Sequence, residues 1–140
     1  NAHATHQPDK GGAPYILHPL RMMLRMDSDE ARMTAVLHDV VEDHEQDGWT
    51  FERLAKAGIP DSVIEALRCV TRLSGDENYV AFIERAATNP VAKAVMRIKF
   101  RRIAIGLLAE REKIGGPKPG AERQQCRLLR LPPVGANCVL

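Results

Sequence analysis

His38, Asp39, Glu42, Asp43 and His44 fall in one run, TAVLHDVVEDH (34–44), interleaved with Val and Leu. Imidazole nitrogen and carboxylate oxygen are the ligands of manganese, iron and zinc, so an adjacent His-Asp pair suits a divalent transition metal. Glu42 and Asp43 lie one helical turn further on, where a carboxylate can take a proton or position a water. At about 100° per residue, His38, Asp39, Glu42 and Asp43 fall within about 140° of a helical wheel, opposite an apolar arc. A helix that buries one face can therefore hold four polar groups toward a shared cleft. The competing reading is a solvated helix end with a chance histidine among several acids.

The surroundings add material for a site. All five histidines, His3, His6, His18, His38 and His44, lie in the first third of the chain, together with the densest acidic cluster, 39–47. Three cysteines, Cys69, Cys126 and Cys138, form no CxxC pair and have no neighbouring histidine, so a zinc finger or a disulfide scaffold is a weak reading. Reduced thiols in a cytoplasm are the simplest account. A net charge of +2 gives no reason to expect a nucleic acid as partner. No apolar run approaches a membrane span, and no signal peptide is visible. The sequence carries no signature of an oligomeric state.

The elements that must position these groups read as helices. With 140 residues, 44% of them hydrophobic, the chain can bury the core of one domain. DSDEARMTAVLHDVVED (27–43) reads as one amphipathic helix with Met33, Val36, Leu37, Val40 and Val41 on its apolar stripe. Asp27, with Glu30 three residues on, resembles a capping box. A short helix follows with Thr50 as N-cap and Gly58 as stop. PDSVIEALRCVTRLSG (60–75) carries Val63, Ile64, Leu67 and Val70 on one face and stops at Gly75. ENYVAFIERAATN (77–89) places Val80, Ile83 and Ala87 together, and Asn89 caps a last helix with Pro90 in its first position. No stretch alternates with period two, so the expected class is all-α. From 115 onward the chain is rich in Gly, Pro and Arg and is expected to be an irregular tail after a helical domain spanning 1–114.

The order of DKGGAPYILHPLRMM, AVLHDVVEDH, CVTRL and ENYVAFIERAATNPVAKAV resembles the HD-domain phosphohydrolases of the RelA/SpoT type. The closer resemblance is to their small single-domain relatives that hydrolyse the alarmone (p)ppGpp. It covers residues 1 to about 100. The resemblance implies a compact all-α HD domain, a small-molecule nucleotide substrate, manganese or another divalent metal, and removal of a 3′-pyrophosphate. It makes His38 and Asp39 metal ligands, and Glu42 and Asp43 the pair that acts on the attacking water and the leaving group. It sets Lys10, Asn78 and Tyr79 at the nucleotide. His18 joins them, with a structural histidine at a helix start as the alternative, and Tyr15 reads as packing. A further metal histidine is implied near Ala4, where His3 is the first choice and His6 the second.

One departure stands out. The family draws a fourth ligand from an Asp in a segment like IKLADLxxN, whereas here RIKF is followed by RRIAIG. Substitution puts Arg102 at that Asp; the alternative is deletion of the segment. No Asp follows Asp76, and Glu110 and Glu112 substitute only if the last helix packs differently. The break and the unusual tail would both follow from a frameshifted or diverged end, which the other reading frames of the coding DNA would test. A degenerate domain that binds a nucleotide without hydrolysing it is the alternative function.

Overall fold

The computed structural model describes residue 8, residues 12–72 and residues 77–111, with 101–111 described as backbone only. Seven α-helices account for most of it: α1 (Leu17–Met23), α2 (Asp29–Leu37), α3 (Val40–His44), α4 (Phe51–Lys56), α5 (Asp61–Val70), α6 (Tyr79–Thr88) and α7 (Pro90–Arg111). A 3-10 turn, Glu45–Asp47, follows α3, and the described residues contain no strand. The all-α expectation therefore holds. The proposed boundary at 114 and the tail at 115–140 lie outside the described residues, as do Cys126 and Cys138.

The helix ends follow from local chemistry. The Asn89 side chain accepts from the backbone N–H groups of Val91 and Ala92 at 2.9 and 3.0 Å, and Pro90 opens α7 as expected. Thr50 caps α4 by accepting from Arg53 N at 3.3 Å. Gly58, at φ +88°, occupies the left-handed region that a side chain disfavours, and so ends that helix. The start of α2 differs from the expectation: Ser28, not Asp27, is the cap, accepting from Ala31 N at 3.2 Å.

Two faces also differ from the sequence pattern. On α2 the buried stripe is Ala31, Thr34, Ala35 and His38, while Met33, Val36 and Leu37 are only half-buried. These are positions i, i+3, i+4 and i+7, and three of the four side chains are small. Small residues let a helix come close to its neighbours, and α2 packs against α1, α5 and α7. The Thr34 hydroxyl is satisfied by donating back to Glu30 O at 2.8 Å. On α6 the buried residues are Phe82, Ile83 and Ala86 rather than Val80 and Ala87.

The main core gathers Val63, Leu67 and Val70 of α5, Phe82 and Ile83 of α6, and Met96 and Phe100 of α7, with Val41 and Leu54 at its edge. A smaller cluster of Met22, Met26, Ala35 and Val95 joins α1 and α2 to α7. Residue 35, in the one cluster, and residue 41, in the other, bracket the His-Asp pair. The pair is thus held between two packed regions.

Candidate metal centre

The single helix read over 27–43 is two helices. α2 ends at Leu37 and α3 begins at Val40, with Asp39 at φ −101°, ψ −5°, at the edge of the right-handed helical region. Asp39 O still accepts from Asp43 N at 2.9 Å, so the chain bends without losing continuity. The bend separates groups that one wheel placed together. His38 and Asp39 are buried at 0% and 7% exposure, whereas Glu42 and Asp43 lie on the exposed side of α3.

α1 supplies the third member. The turn before it is closed by His18 N donating to Tyr15 O at 2.8 Å, which puts Tyr15 and His18 on the same side. Their rings meet edge to face at 5.7 Å, and the His18 ring meets His38 in the same way at 5.2 Å. His18, His38 and Asp39 each offer a ligand atom within 4.8 Å of the others. His18 Nε2 is 3.8 Å and His38 Nε2 is 2.8 Å from the same oxygen, Asp39 Oδ2.

The protonation of His38 follows from its partners. Nδ1 lies 2.8 Å from Ala35 O. A carbonyl only accepts, so Nδ1 carries a proton, and in the neutral ring the lone pair is on Nε2. That atom is buried and has no hydrogen-bond partner among the described residues, because its approach to Asp39 Oδ2 lacks hydrogen-bond alignment. A buried lone pair beside a carboxylate oxygen is two acceptors facing one place. A cation there satisfies both, and a histidine whose other nitrogen donates to a backbone carbonyl is the usual form of an oriented metal ligand. The residues present therefore fit a divalent ion.

Asp39 is held from both sides. The Tyr15 hydroxyl donates to Oδ2 at 2.5 Å, and the Lys99 ammonium of α7 donates to Oδ1 at 2.9 Å. Burial pushes the Asp39 carboxyl up, but His38 in its protonated form, the Lys99 charge and the Tyr15 hydroxyl outweigh it and hold it well below the usual carboxylate range. Tyr15 is shifted the other way: burial and the hydrogen bond to Asp39 push its hydroxyl far above the ordinary value, and the charges of Asp43 and Glu42 add to this. The acidic pair is thus outside the ligand group yet within electrostatic reach of its Tyr15 edge.

The remaining expected positions are dispersed. His18, read as a nucleotide contact or a structural histidine, stands in the ligand group. His3, His6 and Lys10 lie outside the described residues, as does the side chain of Arg102. Asn78 is engaged as the cap of α6, accepting from Val80 N at 2.8 Å. Tyr79 packs against Phe82 and Phe100, with ring centroids at 6.3 and 6.1 Å.

Two contributors were not anticipated. Tyr15 read as packing, although its place three residues before His18 puts both on one turn. Lys99 carried a visible signal: it follows Ala92, Val95 and Met96 at helical spacing, a charge on the buried stripe of α7. No protein-family model matches the chain, and no curated protein matches its sequence.

Proposed function

We propose that the chain is a metal-dependent phosphohydrolase that removes the 3′-pyrophosphate of (p)ppGpp or a related nucleotide. The observation that carries the reading is the buried, unpartnered Nε2 of His38 beside Asp39 Oδ2, with His18 completing a three-residue ligand group. The nucleotide rests on the resemblance of the motif order alone.

A bound divalent metal lowers the pKa of water and so provides a nucleophile near neutral pH. His38 and His18 offer imidazole lone pairs, and Asp39 offers charge. Tyr15 fixes the Oδ2 oxygen, and Ala35 O fixes the tautomer of His38. In the proposed reaction water adds to the phosphorus next to the 3′ oxygen, the bond from phosphorus to that oxygen breaks, and the oxygen leaves with a proton. In this reading Glu42 and Asp43, exposed on α3, would accept the proton of the water and assist the leaving oxygen.

Metal analysis of the purified protein, followed by a (p)ppGpp assay with Mn2+, tests the reading. The expected products are pyrophosphate and guanosine 5′-di- or triphosphate, lost in His38→Ala. A second reading, nucleotide binding without turnover, is favoured by Lys99 on Asp39 and by the lack of any Asp after Asp76. Saturable (p)ppGpp binding with no product would select it.

A further inference from the structure

We propose that Lys99 is the resident counter-cation of the His18-His38-Asp39 group, and that it sets how tightly the group takes a divalent ion. This inference rests on the metal reading of that group. Lys99 belongs to the face of α7 that carries Ala92, Val95 and Met96, all buried, so its stem is drawn toward the core. Its side chain is 24% exposed, and its ammonium reaches Asp39 Oδ1 at 2.9 Å. Asp39, with a side chain 10% exposed, is therefore a buried charge that is already neutralised. The Lys99 ammonium and the Asp39 carboxylate cancel each other's charge.

An ion held by His18, His38 and Asp39 would gain the attraction of Asp39 and meet the repulsion of Lys99. The ammonium keeps the carboxylate in place when no ion is bound, at the expense of affinity when one is. Tyr15 does not share this role, because its hydroxyl is neutral and donates to Oδ2 without adding charge.

The experiment is calorimetric titration of the full chain with Mn2+ alone and with Zn2+ alone. The forms compared are the unaltered chain, Lys99→Met, Lys99→Gln and Lys99→Arg, each first checked for a cooperative melt. Removing the ammonium should tighten binding about tenfold or more, since repulsion between a unit charge and a divalent ion a few ångströms away exceeds that even at intermediate dielectric. Lys99→Arg keeps the charge and should keep the original affinity, which a merely structural role for the lysine would not require. Asp39→Asn removes a proposed ligand and should weaken binding with or without Lys99→Gln. If Lys99→Met does not fold, the Gln and Arg forms carry the comparison. Equal affinity in all four forms overturns the role of Lys99 and leaves the metal site standing. No binding in any form overturns both the role and the site.

Discussion

The Tyr15 hydroxyl and the Asp39 carboxylate meet at 2.5 Å across 24 residues of chain, joining the turn before α1 to the bend between α2 and α3. The contact fixes the oxygen that faces both imidazoles. It also ties the protonation of Tyr15 to the fold.

Alkaline titration should reveal that tie. The chain has two tyrosines, and burial raises both hydroxyls, Tyr15 far more than Tyr79. A group whose folded pKa is raised contributes stability that is complete below its unfolded pKa, about 10 for tyrosine, and is lost as pH rises above it. Phenolate absorbance should therefore lag behind free tyrosine, and its later part should coincide with loss of helical circular dichroism. Tyr15→Phe should remove that later part. A folded protein in which both tyrosines titrate near pH 10 would contradict the buried Tyr15-Asp39 bond.

Metal addition should stabilise the fold through the same residues. An ion that binds only the folded state adds about 2.7 kcal/mol at a free concentration of 100 times its Kd. Mn2+ or Zn2+ should raise Tm in the unaltered chain, less in His18→Ala, and not in His38→Ala. His44, also buried but paired with Asp47 at 2.9 Å, is the control: His44→Gln should keep the metal response. A response that His38→Ala retains would place the ion elsewhere.

The core makes a contrasting pair of predictions. Leu67 is fully buried, so Leu67→Ala should cost about 2–5 kcal/mol in chemical denaturation. Leu37 sits half-buried at the edge of the same cluster, and its truncation should cost clearly less. Equal losses would mean that Leu37 is as deeply packed as the sequence pattern suggests.

That contrast shows what the sequence could and could not reveal. Apolar periodicity located α5 and its face, because Val63, Ile64, Leu67 and Val70 are large and all point inward. On α2 the large residues misled. The stripe that packs is Ala31, Thr34 and Ala35, where close approach of helices matters more than side-chain size. His38 and Asp39 were legible as a pair from residue type alone. The bend at Asp39 was not, because nothing local marks it, and without the bend Glu42 and Asp43 share an arc with the ligands. Lys99 reaches Asp39 across 60 residues, a relationship that only the packing of α7 creates.

Arg85 should prove an important tie between Glu77 and the end of α5. Its guanidinium donates to both Glu77 carboxylate oxygens at 2.8 and 2.9 Å, to Thr71 O at 3.0 Å, and to Arg68 O. Those carbonyls end α5, where a cation complements the helix dipole. With the pair only partly exposed, Arg85→Met should cost about 1–3 kcal/mol, more than Arg32→Met in the exposed pair with Asp29. Similar melting for the two variants would reduce Arg85 to an ordinary surface charge.

Glu42 offers the sharpest separation of chemistry from stability. It is exposed on α3, so Glu42→Gln removes a charge without burying anything or opening a cavity. The metal-induced rise in Tm should therefore persist, since the residues that could hold the ion are His18, His38 and Asp39. Its charge acts on Tyr15, so the substitution should also lower the alkaline transition of Tyr15 slightly. If the chain hydrolyses (p)ppGpp, turnover should fall by about 10²–10⁴-fold, the range of a lost general base. Asp43→Asn provides the comparison on the neighbouring carboxylate. Full turnover in Glu42→Gln with unchanged metal response would remove Glu42 from the reaction. A fall in turnover with the metal response lost as well would instead make it part of the ligand set, which its exposed position on α3 argues against.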